Sequence, residues 1–187
     1  MKMIFRGPRQ HGFTLIEVMI TILVLAVGLL GLAGMNARIL NGQFEAYQRA
    51  QAMLLVADMV SRLRTNPAAA RAGAYDNQEL GLAAAACDET AAVQDAAMDL
   101  ACWNEALRGV SVSDGAAQLG SMIGARGCID RVSGAGESTV VLRVSVAWQG
   151  LTPTVAPALA CGFSQYGADD SLRRVVAVDV GMAYLGE

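Results

Sequence analysis

The sequence predicts an α+β fold in which a long N-terminal helix packs on a small three- to four-stranded antiparallel sheet, with a second short helix. Three observations predict it: a nearly uncharged apolar run, a helical periodicity that continues beyond that run, and strand-like alternation near the C-terminus. The chain therefore divides into a leader at residues 1–12, a membrane-spanning half-helix at 13–35, an amphipathic half-helix at 36–66 and a globular domain at 67–187.

The apolar run covers residues 13–35 and contains one charged residue, Glu17, and no proline. About 20 apolar residues in a helix are long enough to cross the ~30 Å hydrocarbon core of a bilayer. The preceding leader carries three basic residues and no acidic one. Because positively charged flanks stay in the cytoplasm, we expect a cytoplasmic leader, with the rest of the chain on the other side of the membrane.

Residues 36–66 have apolar positions at intervals of mostly three or four, which is typical of an amphipathic helix. The helix is predicted to end at Asn66, because the residue before Pro67 avoids the α region. Its apolar stripe is expected to pack on the globular domain. The stripe comprises Leu40, Phe44, Tyr47, Leu54, Ala57, Val60 and Leu63.

Two segments of the globular domain have little pattern: residues 68–89, rich in Ala and Gly, predict a loop with short helical pieces, and residues 110–125 predict nothing regular. Between them, a helix is predicted over residues 90–108 and is stopped by Gly109. The apolar face of that helix comprises Val93, Ala97, Leu100, Trp103 and Leu107.

Three strands are predicted at residues 128–132, 142–148 and 176–182, where apolar residues tend to alternate with polar or small ones. The first two should form a hairpin around a turn at 133–136, and the third should join them antiparallel after a long loop at 149–171. One face of this sheet is expected to cover the apolar stripe of the helix.

Four cysteines lie in the part of the chain predicted to be exported, where an oxidising compartment favours disulfides. Pairing Cys128 with Cys161 would clip the long loop to the sheet, and pairing Cys87 with Cys102 would tie the Ala-rich loop to its helix. Four cysteines allow three connectivities, and the sequence leaves the other two open. A zinc site would require a C-x-x-C pair or a nearby histidine, and neither is present, so no metal is predicted.

Composition disfavours nucleic-acid binding and catalysis. Without the leader the chain has 11 basic against 17 acidic side chains, a balance of −6, so no basic surface for nucleic acid is expected. The only histidine, His11, lies in the leader, and no hydrolase, nucleotide-binding or zinc-protease motif is present. The adjacent Asp169 and Asp170 predict a solvated turn rather than a catalytic pair. We expect neither an enzyme nor a cofactor.

The leader and the apolar run meet at Gly12-Phe13-Thr14-Leu15-Ile16-Glu17. This junction resembles the class III leader of type IV pilins and pseudopilins. The resemblance implies that prepilin peptidase cuts between Gly12 and Phe13 and methylates the new amino group of Phe13. It also implies that Glu17 takes part in subunit assembly.

Elementary electrostatics gives a reason for Glu17. A charged side chain at the centre of a membrane span costs about 2.5–3.5 kcal/mol, so a carboxylate in the span is expected to have a partner. The ammonium group of Phe13 on a neighbouring subunit would supply the opposite charge, so that both charges are paired only in the assembled filament. The alternative is that Glu17 reaches the membrane surface in an ordinary signal anchor.

A narrower resemblance is to PilV-type minor pilins, the type IV pilus modification proteins. It implies a low-abundance subunit with a periplasmic domain, which moves from the inner-membrane lipid into the pilus. Such a subunit primes assembly together with other minor pilins and a tip adhesin, and the major pilin is a further expected partner. Two alternatives remain: a minor pseudopilin of type II secretion, and a ligand-binding, adhesive minor pilin. The resemblance rests on Gly-Phe-Thr-Leu-Ile-Glu-Val-Met at 12–19, Asp-Leu-Ala-Cys-Trp-Asn-Glu-Ala-Leu at 99–107, Val-Ser-Val-Ala-Trp at 144–148, Cys-Gly-Phe-Ser-Gln-Tyr-Gly at 161–167 and Arg-Arg-Val-Val at 173–176.

Overall fold

The computed structural model describes residues 12–88, 90, 95–109, 113–114, 117–118, 122–134 and 139–183. The predicted leader, apart from Gly12, lies outside the described residues, as do Val93 and part of the turn predicted at 133–136. The chain forms two compact units, Met1–Gln43 and Phe44–Glu187.

The chain has three helices and six strands in the part that the structure describes, and the α+β class predicted from the sequence is confirmed. In chain order they are α1 (Leu15–Thr65), α2 (Pro67–Ala72), β1 (Gln78–Leu80), α3 (Ala96–Arg108), β2 (Ser113–Asp114), β3 (Ala117–Gln118), β4 (Arg126–Ser133), β5 (Thr139–Gln149) and β6 (Arg173–Ala183).

The main sheet is antiparallel, with strand order β1-β4-β5-β6, and β2 and β3 form a separate two-stranded ribbon. The three predicted strands are therefore confirmed as β4, β5 and β6. Val144 at the centre of β5 pairs with Ile129 of β4 and with Val178 of β6. Strand β1 was missed and falls in the segment predicted to be a loop; its three residues are too few to show an alternation.

The core of the second unit lies between one face of the sheet and the helices. Leu142, Val144 and Val146 of β5 point into it at alternate positions and are fully buried. They belong to one cluster with Met59 of α1 and Trp103 of α3. The alternation that predicted β5 is thus the alternation of its buried side chains.

The prediction that the apolar stripe of α1 packs on the globular domain is wrong for most of its residues. Leu40, Phe44, Tyr47, Leu54 and Ala57 are exposed, and only Val60 and Leu63 of the predicted set are buried. The sequence contains a second apolar row at intervals of four, three and four, and this second row is the one that packs in the core. It comprises Ala52, Val56, Met59 and Leu63.

Helix α3 begins at Ala96 rather than at residue 90. Asp95 is its N-cap, and the Asp95 side chain accepts the backbone N–H of Met98 at 2.8 Å, which satisfies one of the free donors of the first turn. The predicted stop at Gly109 is confirmed, with a left-handed φ of 73° that glycine adopts without strain. Trp103 and Leu107 are buried as predicted, whereas Ala97 is exposed.

Candidate functional site

The candidate processing site is the segment Gly12-Phe13-Thr14, which precedes α1 and has no regular secondary structure. The carbonyl of Thr14 accepts the N–H groups of Glu17 and Val18 at 3.1 and 3.3 Å, so the helical hydrogen bonds begin there. The peptide bond between Gly12 and Phe13 lies outside this network and is exposed. A peptidase could therefore bind it as extended backbone without unwinding the helix.

Gly12 has free space around it: a Cβ atom added at this position would meet nothing within 4 Å. The packing of the described chain therefore imposes no need for glycine here. A need for glycine would come instead from an outside partner whose surface approaches the backbone closely, as the active site of a peptidase does.

Glu17 lies in the first turn of α1, where the helix dipole favours a negative charge. It is exposed, and no ion pair to it occurs among the described residues. The apolar side chains around it are also uncovered, with Leu15 and Ile16 each more than half exposed. Within the described chain, α1 is the one helix long and apolar enough to cross a membrane. The carboxylate thus lies in an exposed apolar segment that is long enough to cross a membrane.

Two disulfides staple the second unit. Cys87 is joined to Cys102 across 15 residues, and Cys128 is joined to Cys161 across 33 residues. These are the two pairs that the sequence analysis favoured. The first connects the segment before α3 to that helix, and the second connects the loop between β5 and β6 to β4 on the face of the sheet opposite the main core.

Arg173 holds the loop between β5 and β6 in part through the backbone of that loop. The Arg173 guanidinium donates to the carbonyl oxygens of Pro157, Leu159 and Cys161, the first and last at 2.9 Å. It is paired in turn with Asp170, whose carboxylate lies 3.2 Å from Nε. A cation that binds three carbonyls fixes this part of the loop through backbone groups.

The prediction of a solvated turn at Asp169 and Asp170 is wrong for the second residue. Asp169 is exposed, but Asp170 is only 5% exposed and accepts the backbone N–H of Ser164 at 2.9 Å as well as pairing with Arg173. The sequence places two acids next to each other, and only the fold separates their roles. Asp170 is engaged in holding the loop rather than presented for chemistry.

Tyr166 anchors the same loop to the segment before β4, because its hydroxyl donates to the carbonyl oxygen of Gly124 at 2.6 Å. Burial raises the pKa of Tyr166 to about 12, from a usual value of about 10. The folded state therefore favours the neutral phenol. The contribution of the neutral Tyr166 phenol to the free energy of unfolding is complete below pH about 10 and is lost as the pH rises from about 10 to about 12.

Tyr166→Phe should therefore make the stability less sensitive to alkali. The wild-type chain should lose about 2–3 kcal/mol more free energy of unfolding than the variant between pH 9 and pH 12. Urea unfolding of the full chain in detergent at both pH values measures this. The buried Tyr75 is present in both chains, so its contribution cancels. Equal losses in both chains would contradict the assignment.

A second buried polar cluster joins the end of α1 to α3 and was missed from the sequence. The Asp99 carboxylate accepts the Tyr75 hydroxyl at 2.5 Å and the Asn66 side-chain amide at 3.0 Å, and it lies 3.6 Å from the Arg62 guanidinium. Burial, and then the bond to Asp99, raises the pKa of Tyr75. The signal in the sequence was an acid one helical turn before Trp103, on the buried face of α3.

Among the described residues, no group of three or more His, Cys, Asp or Glu side chains is arranged to hold a metal ion. The acids that do cluster are engaged by arginines, tyrosine hydroxyls or backbone N–H groups. The clustered acids of the described chain are therefore already bound by partners within the fold.

Comparison with known proteins identifies one motif. Residues 7–33 match the family model described as the prokaryotic N-terminal methylation motif, a segment that includes Gly12, Phe13 and Glu17. No curated protein and no solved structure matches the chain. The match covers a short N-terminal part of the sequence. It supports a precursor of the type IV pilin-like or pseudopilin kind, processed by prepilin peptidase and anchored in a membrane by its apolar helix.

Proposed function

We propose that this chain is a minor pilin, a structural subunit that primes or supports assembly of a type IV pilus after its leader has been removed between Gly12 and Phe13. The observation that carries the proposal is Glu17, an exposed acid in an apolar helix that has no ion pair among the described residues. It lies four residues after the N-terminus that cleavage would create.

Cleavage would supply the missing partner. Removal of residues 1–12 exposes an ammonium group on Phe13, which methylation converts to a secondary amine that remains protonated at neutral pH. In lipid, such a charge is stable only when an opposite charge neutralises it. The Glu17 carboxylate of one subunit and the Phe13 amine of another would neutralise each other, so assembly would remove two unfavourable charges together.

Neutralising Glu17 tests this directly. Glu17→Gln keeps the side-chain shape but leaves the partner amine unpaired, a cost of about 3 kcal/mol or more for a desolvated pair. We expect at least a tenfold lower ratio of filament-incorporated to membrane-bound protein, since about 1.4 kcal/mol corresponds to tenfold. Quantitative immunoblots of sheared pili and membranes measure the ratio.

Glu17→Asp is the matched control, because it keeps the charge on a shorter side chain and should retain more incorporation than Glu17→Gln. Mass spectrometry should show every variant beginning at methylated Phe13, which separates an assembly defect from a processing defect. Lys2 is the only lysine, so the processed chain has a single reactive amine at its terminus. Wild-type incorporation of Glu17→Gln would refute the pairing.

Deletion of the gene separates the two filament systems. A minor pilin predicts fewer surface pili and weaker twitching motility, with protein secretion unchanged. A minor pseudopilin of type II secretion predicts normal surface pili and reduced protein secretion, because the same N-terminal chemistry would then serve a secretion pseudopilus.

A further inference from the structure

Strand β6 forms one edge of the main sheet, and within the described residues β5 is its only neighbour. It has eleven residues, pairs with β5 without a register shift and contains no proline. Its one acid, Asp179, is bound by Arg143 at 2.7 Å. Natural sheets usually protect long edges with bulges, prolines or charges. The outer edge of β6 has little of this protection.

An apolar groove of about 520 Å³ runs between this edge and α1. Val56 and Val60 of α1 are buried in it, whereas Met53 of α1 is 58% exposed and Val178 of β6 is 47% exposed. A strand added to β6 would lie about 4.8 Å from it, on the side where this groove opens. The side chains of an added strand that face α1 could then cover Met53.

One end of the groove carries an exposed cation and a buried hydrogen-bond donor that has no acceptor among the described residues. Arg49 is exposed, lines both the groove and the adjoining pocket, and makes no ion pair among the described residues. Trp148 lines the adjoining pocket and is 3% exposed. Its Nε1–H has no acceptor among the described residues. Arg174, by contrast, is already paired with Glu45 at 3.3 Å. Buried donors are normally satisfied, so an acceptor group is expected at this end.

We propose that the open edge of β6 binds an extended segment of a partner protein, which adds a strand to the sheet and places a carboxylate at Arg49. The strand hydrogen bonds supply sequence-independent affinity, while the groove selects aliphatic side chains at alternate positions and Arg49 selects the acid. The proposal concerns the globular domain and holds whether the filament is a pilus or a secretion pseudopilus.

A second copy of this chain fits less well as the occupant. Paired in parallel, the β6 strand of a second copy would bring Arg173 and Arg174 to the Arg49 end of the groove, and paired antiparallel it would bring the uncharged Met182 and Ala183. Its one acid, Asp179, is already bound by Arg143. The charge at the end of the groove therefore favours a different, acidic partner. Self-association is accordingly one of the outcomes that the experiment must distinguish.

The probes are three acetylated, fluorescent nine-residue peptides of alternating Val and Thr that differ at one terminal position, which is Glu, Gln or Lys. Anisotropy with the full processed chain in detergent gives the dissociation constants. We expect the Glu peptide to bind about tenfold more tightly than the Gln peptide, as a charge-assisted hydrogen bond allows. Hydrogen exchange should show added protection of β6 amides by the Glu peptide.

Arg49→Glu should reverse the order, so that the Lys peptide binds more tightly than the Glu peptide. Arg64→Glu is the matched control, an identical charge reversal at an exposed site on the same helix outside the groove, and should leave the order unchanged. Equal binding of the three peptides, unprotected β6 amides, or the same effect from both variants would overturn the proposal. A dimer in sedimentation that Arg49→Glu abolishes would overturn it in favour of self-association.

Discussion

Trp103→Ala should lower the free energy of unfolding of the globular unit by about 3–5 kcal/mol, the range for removing a fully buried aromatic side chain. The ring lies against Gly127 of β4, where an added Cβ would come within 2.5 Å of it, so the strand has no side chain there to fill the cavity. Its Nε1–H also donates to the Leu55 carbonyl oxygen of α1 at 2.8 Å. The substitution therefore removes both the packing and the hydrogen bond that connect α3 to α1.

Trp103→Phe is the control that separates the two contributions. Phenylalanine retains much of the volume and loses the N–H donor, so we expect a loss of about 1–3 kcal/mol. Urea unfolding of the full chain in detergent can be followed by fluorescence, because Trp148 is the one other tryptophan in the sequence. A loss below about 1 kcal/mol for Trp103→Ala would show that the surroundings collapse around the missing ring.

Removing the disulfide between Cys128 and Cys161 should have the next largest effect. The double variant Cys128→Ala, Cys161→Ala opens a closed loop of 33 residues in the unfolded chain, for which the chain-entropy relation gives about 3–4 kcal/mol of lost stability. It should also loosen the loop between β5 and β6, where Phe163 is 67% exposed. Chymotrypsin should then cut at Phe163 much faster than in the wild-type chain.

The matched control is Cys87→Ala, Cys102→Ala, which opens a 15-residue loop. Its entropic cost should be about 3 kcal/mol, but Phe163 lies in a different loop and its cleavage rate should remain close to wild type. Unfolding curves and proteolysis of both variants under native conditions make the comparison. Similar acceleration at Phe163 in both variants would show that protection of this loop depends on global stability rather than on its own disulfide.

The sheet could be predicted from the sequence because its central strand has two distinct faces. Leu142, Val144 and Val146 recur at every second residue and are all buried against the helices. Strand β1 could not be predicted, because three residues carry no period and their strand conformation depends on pairing with β4. The conformation of a strand this short is thus decided by its neighbour rather than by its own sequence.

The face of α1 was predicted wrongly for a related reason. Tyr47 and Leu54 belong to one apolar row and Val56 and Met59 to another, and both rows satisfy the helical period. The period shows that a helix has an apolar face, but the choice between two such faces depends on which one the domain covers. The uncovered row is left for contacts outside the described chain.

The buried polar residues show the limit of sequence reasoning most clearly. Asp170 is a buried acid whose neighbours in sequence give no sign of its burial, and for Asp99 the one sign is its position a helical turn before Trp103. Their partners Tyr75 and Arg173 are brought to them by the fold. At the N-terminus the reverse holds, since Glu17 stands out in the sequence because the residues around it are apolar.

The way in which Arg173 holds the loop between β5 and β6 affects how this protein can diverge. Three of the groups it binds are backbone carbonyls, which every amino acid provides, while a side chain such as Val155 faces outward. Substitutions at the tip can therefore accumulate with little penalty to folding. Related chains could present dissimilar outward surfaces on the same backbone frame without disturbing the domain beneath it.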